Sequence, residues 1–228
     1  MNIFLRVLAD QARLLSFRAF RPSLAEHWHI YLGWGLFTTW LVGIGRYWDH
    51  PNAELWQYAG LGSLGYVFVL AAIVWAISAP LKPQNLSYRN ILIFITLTSL
   101  PALLYAIPVE RFMSLSSAQM ANVWFLLIVA AWRVVLFAVF LRRVGKLSTV
   151  AVVVATLLPL VLIVTTLTIL NLEQAVFNVM GGIREPTSND AAFGILASIT
   201  LFSMLAAPVL LIMYLFLVAR IHLRKSSI

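Results

Sequence analysis

Apolar positions along this chain fall in long unbroken runs, not in alternation. Six runs of about 20 residues can be read: 28–46, 57–79, 90–109, 120–141, 147–170 and 192–219. A helix of that length rises about 30 Å, the thickness of a bilayer's hydrocarbon core. No period-two alternation accompanies the runs, which excludes barrel strands. Buried in lipid, the backbone must satisfy its own polar groups, so the runs predict helices. The expected fold is an all-α integral membrane protein with six transmembrane helices in one domain, 28–219. A cytoplasmic amphipathic segment, 1–27, precedes it and a short basic tail, 220–228, follows. In the opening stretch Phe4, Val7, Leu8, Leu14 and Leu15 share one broad helical side, and Arg6 and Arg13 point away. That pattern predicts a helix lying in the membrane interface. It lacks the uninterrupted apolar stretch and small-residue cleavage site of a signal peptide; an arginine-rich mitochondrial targeting segment is the alternative.

Composition agrees with the pattern. Mean hydropathy is +0.93 and 62% of residues are apolar, against about 45–50% in globular domains. With 11% charged residues the chain cannot cover a soluble particle. The absence of cysteine excludes disulfides, thiolate metal sites and cysteine nucleophiles. A net charge of +8 does not indicate nucleic acid, because no basic stripe is interleaved with aromatics. It reads instead as attraction to anionic lipids and the positive-inside bias. Counted by alternate polar segments, twelve Lys and Arg face three, with Arg133 left inside a run. The bias places both termini in the cytoplasm of a multi-pass protein of the bacterial inner membrane.

Helices in lipid associate through small residues that let backbones approach. Gly35, Thr39 and Gly43 recur every four residues on the first run, and Gly60, Gly62 and Gly65 sit at the start of the second. A tight contact between these two spans is expected. Pro101, Pro159 and Pro208 lie inside the third, fifth and sixth runs, where each is expected to kink its helix.

Three places could carry chemistry. Arg133 lies in the fourth run, nine residues before Arg142, about 13 Å along a helix. None of the six runs contains an Asp or Glu to pair with it. A charge at that depth costs at least about 2.5–3.5 kcal/mol and marks a site until shown otherwise. Arg133 is therefore the candidate for binding an anionic lipid or substrate, in a site open to the inner leaflet. The bland reading is a snorkelling or carbonyl-capping arginine. Asp49 and His50, at the outer end of the first span, form the second candidate as an acid–base or metal pair, but one Asp and one His are too few to specify either, and helix capping is the preferred reading. Glu26 and His29, with His27 alongside, have an E-x-x-H spacing, but a di-iron bundle needs that motif twice. No metal or cofactor is expected, and nucleophile motifs and phosphate loops are absent.

The resulting expectation is a non-enzymatic membrane subunit, scaffold or lipid-handling component. Its partners are anionic membrane lipids and a protein partner or further copies of itself. A small oligomeric transporter or channel is the alternative; its pore would need Thr96, Thr98, Ser99, Thr165, Thr166 or Asn171 facing inward. A lipid-modifying enzyme is the third reading.

Overall fold

The structure, a computed structural model, describes residues 2–18, 24–49, 53–170 and 190–223. Regular elements among them are all helical: α1 (Ile3–Leu15), α2 (Leu24–Tyr47), α3 (Leu55–Tyr58), α4 (Leu61–Ser78), α5 (Tyr88–Leu97), α6 (Leu115–Arg143), α7 (Thr149–Ile169) and α8 (Asp190–Leu223). Short 3-10 segments cover Ala79–Leu81, Leu100–Ala106 and Val109–Arg111. Serine begins three of the helices. The hydroxyls of Ser87, Ser114 and Ser148 accept from the backbone N–H of Asn90, Ser117 and Ala151, satisfying donors that the first helical turn leaves free.

Among the described residues four helices are long and apolar enough to cross a membrane: Leu61–Leu81, Ser116–Arg143, Thr149–Ile169 and Ala197–Leu223. The pair Tyr88–Leu97 and Leu100–Arg111, bent by 42°, makes a fifth if it crosses as one broken span. This is the pattern of a multi-pass membrane protein. The first of the six expected spans does not reach the same standard. α2 is a helix of 24 residues, but Trp28, Trp34, Trp40, Gly33, Gly35, Thr38 and Thr39 dilute its apolar content, and its backbone leaves helical geometry at His27.

α5 is the centre of the molecule. Every side chain from Ile91 to Leu97 is buried, as expected of a helix apolar on all sides. Phe94 stacks on Phe140 of α6 at 4.3 Å between ring centroids. The helix stops where Pro101 approaches, and the chain continues as 3-10 turns. Of the three expected kinks, this one appears as a break. α7 and α8 run through Pro159 and Pro208 without losing helical assignment.

Proline at 101 removes the N–H that would have bonded the Leu97 carbonyl four residues back. Gln11 of α1 supplies the replacement: its Nε2 donates to Leu97 O at 2.8 Å, and its Oε1 accepts from Trp34 Nε1 at 2.6 Å. Beside it the Tyr31 hydroxyl donates to Asp10 Oδ2 at 2.6 Å, and Arg13 sits 3.4 Å from the other carboxylate oxygen. Asp10 and Gln11 are each 2% exposed. The buried stripe of α1 is thus Val7, Asp10, Gln11 and Leu14, whereas Phe4, expected on the apolar side, remains exposed. At the far end, Trp132 Nε1 and Arg143 Nη1 of α6 donate to the carbonyls of Leu15 and Phe17.

The glycines divide between two neighbours. Gly43 does meet the start of the second span: a methyl there would lie 2.8 Å from Gly60 O and 2.9 Å from Ser63 Cβ. Gly60 itself has φ +69° and lies against the Trp40 carbonyl. Gly35 instead abuts Thr96 of α5, and Thr39 donates to Gly35 O at 2.8 Å. Gly62 makes room for the Trp56 ring of α3, and Gly65 faces open space. A stripe of small residues tells that a backbone comes close, not which one.

Candidate anion-binding cavity

Between α2, α4, the 3-10 segment Leu100–Ala106 and α6 lies a cavity of about 110 Å³. That is room for several waters or one small polar group. Arg133 lines it, and so does Arg46 from the last turn of α2. The two guanidiniums repel one another. Ser63, Tyr66, Ser99 and Tyr105 add hydroxyls, and Val129 and Leu126 give an apolar wall. Among the described residues no Asp or Glu lines it.

Helical geometry explains how two charges distant in sequence meet. Side chains tilt toward the helix N-terminus, so Arg133 extends along α6 past Ala130, Val129 and Leu126, which share the cavity with it. It therefore runs away from Arg142, opposite to the direction that snorkelling toward the cytoplasmic end requires. The lining continues to Arg46, Trp56 and Gln57, the end that charge counting assigns to the outer side. Arg46 comes from a helix end, where an arginine looks like any loop charge, and no feature of its local sequence marks it as a cavity residue.

The two arginines differ in surroundings. The Arg46 guanidinium lies over the Tyr105 ring at 5.2 Å, a cation–π contact strengthened by exclusion of water. No hydrogen bond or ion pair within the described residues engages Arg133, which is half-buried. Nearby hydroxyls are partly committed: Thr39 donates to Gly35 O, and Ser99 donates to Thr38 Oγ1 at 3.4 Å. Those of Ser63, Tyr66 and Tyr105 face the cavity with no described hydrogen bond. Of the residues a pore would need, Thr96 and Thr98 bond carbonyls of their own helix, and among the described ones only Ser99 reaches the cavity.

Cationic donors and hydroxyls converging in a low-dielectric pocket can hold an anion. A guanidinium presents a planar fork of N–H donors matched to two oxygens of a phosphoryl or carboxyl group. No family model, no curated protein and no solved structure matches this chain. The site thus rests on its own geometry.

The other candidates do not join it. Asp49 is half-buried, but His50 lies outside the described residues. Trp48, between the two chain segments, donates to Ala106 O at 3.0 Å and stacks under Arg111. His27 lies 3.8 Å from Glu26, and the non-helical backbone at His27 interrupts the turn that E-x-x-H needs to place both ligands on one face. Among the described residues no three His, Asp or Glu side chains converge on a metal position. Asn171 also lies outside the described residues.

Proposed function

We propose that this chain is a non-enzymatic component of the bacterial inner membrane that holds one anionic group, a lipid headgroup or a small solute anion, in the cavity between Arg46 and Arg133. In this reading it crosses six times, with α2 as the first span, α1 in the cytoplasmic interface and both termini in the cytoplasm. The observation that carries the reading is the pair of arginines facing one hydroxyl-lined space. A single buried arginine is commonly a packing device. Two guanidiniums and several hydroxyls lining the same 110 Å³ gather more donors for an oxyanion than packing alone calls for.

Native mass spectrometry of the gently extracted protein, with phosphate or phosphatidylglycerol supplied, tests it. A charge-assisted hydrogen bond contributes about 1.5–3 kcal/mol, so Arg133→Ala is expected to weaken retention about ten- to hundredfold. Arg133→Lys keeps the charge but loses the fork and is expected to fall between. Unchanged retention in both variants would sink the assignment.

A second reading has its own observation. The broken span at Pro101 contributes Ser99, Ala102 and Tyr105 to the cavity, and interrupted helices at an ion site are a feature of transporters. In that case the same anion passes through. Uptake of a labelled anion by proteoliposomes, lost in Arg133→Ala, selects this reading over static binding.

A further inference from the structure

A second groove, unconnected with the arginine cavity, runs between α6 and α7. It has a volume of about 440 Å³ and is walled by Val134, Val135 and Ala138 of α6 and Val152, Val153 and Leu157 of α7. At one end stand Arg142 and Arg143, the last two residues of α6. From Arg142 back to Val134 the groove extends about 12 Å at 1.5 Å per residue. That is most of one leaflet's half of a 30 Å hydrocarbon core. We propose that the groove is a binding site for a single anionic phospholipid, its phosphate on Arg142 and Arg143 and one acyl chain laid between α6 and α7.

Charge and shape select this occupant over a helix of a protein partner. The charged groups of the groove are gathered at one end, and the rest is apolar except for Thr156, which is close to the division within a phospholipid. Both arginines are held by one donor each: Arg142 Nη1 bonds Leu147 O and Arg143 Nη1 bonds Phe17 O, both at 2.8 Å. These bonds fix the guanidiniums in place, and the remaining N–H donors of each fork have no other described protein acceptor. Arg18 faces the opposite side of Arg143, across a smaller crevice that Arg143 also lines, and adds a third positive charge at the same level. A phosphodiester offers two free oxygens to such a fork. The turn between α6 and α7 is itself rigid, with Gln84 N–H bonded to Gly145 O and Leu147 N–H to Leu141 O, so the mouth keeps its width.

The test uses the full-length chain, purified and delipidated in neutral detergent, titrated with dioleoylphosphatidylglycerol or dioleoylphosphatidylcholine and read by native mass spectrometry. It is done in an Arg133→Ala background, so that loss of the cavity site cannot be mistaken for loss of this one. One phosphatidylglycerol is expected to bind at least about tenfold more tightly than phosphatidylcholine. Arg142→Gln with Arg143→Gln should abolish that preference. Ala138→Phe, which fills the groove and leaves both arginines, should weaken both lipids together. Glycerol 3-phosphate, a headgroup without chains, should not compete. Equal binding of the two lipids, or an undiminished preference in the double arginine variant, overturns the proposal. Full competition by glycerol 3-phosphate also overturns it, in favour of a free phosphate site.

Discussion

Single residues here act through what they leave out as much as through what they touch. Gly43 and Gly60 bring α2 against the start of α4. A methyl on Gly43 meets the Gly60 carbonyl at 2.8 Å, and alanine at Gly60 must hold φ +69° while facing the Trp40 carbonyl at the same distance. The left-handed conformation alone costs about 1–2 kcal/mol. Gly60→Ala and Gly43→Ala are each expected to destabilise by about 1–3 kcal/mol, and Gly65→Ala, with open space around it, to be neutral or slightly stabilising. Thermal unfolding in one detergent ranks the three; a Gly65→Ala loss equal to that of Gly43→Ala would refute the packing scheme. These glycines show what a sequence reveals. Regular spacing announces a close approach, and it pointed to a contact between the first two spans without saying which glycines meet. It could not tell that Gly35 meets Thr96 of α5. Arg133 was conspicuous because a charge interrupts an apolar run, whereas Arg46, equally part of the cavity, ends a run and looks like any loop arginine.

At the scale of elements, α1 and the broken span depend on one another. The break frees the Leu97 carbonyl, and Gln11 closes it while also accepting from Trp34. Leaving a buried polar group without a partner costs about 1–3 kcal/mol. Gln11→Leu orphans two, so a loss of about 2–4 kcal/mol is expected from these paired penalties. Pro101→Ala returns an N–H in reach of the Leu97 carbonyl. In that background the same Gln11 change is expected to cost about 1 kcal/mol less, the coupling being the difference between the two arms of a double-mutant cycle. If the costs are equal, Gln11 supports only Trp34. This relationship was hidden in the sequence for a plain reason. Polar residues on an amphipathic helix ordinarily face water, and nothing local distinguishes Asp10 and Gln11 from solvent-facing side chains. Gln11 is held against a break made by a proline about ninety residues away in sequence, and Asp10 against the Tyr31 hydroxyl.

For the whole molecule the decisive quantity is parity. Among the described residues four helices and the bent pair account for up to five crossings; if the bent pair crosses, α2 decides whether the number is even. If α2 crosses, Arg46 and Arg133 reach the cavity from two spans and the termini share a compartment, the arrangement that the Lys and Arg distribution favours. If α2 lies in the interface, the termini fall on opposite sides, and three arginines of the first twenty residues must stay where the positive-inside bias disfavours them. The complete lack of cysteine makes the experiment clean. Asn2→Cys, Ser116→Cys and Ser226→Cys, one per chain, are labelled in intact cells with a membrane-impermeant maleimide. Six crossings predict that only Ser116→Cys reacts from outside. Reaction of Asn2→Cys but not Ser226→Cys means an odd number of crossings, with either α2 or the bent pair not crossing. If it is α2, the cavity lies between an interfacial helix and the spans, within direct reach of a headgroup, and the lipid form of the anion becomes the one to pursue.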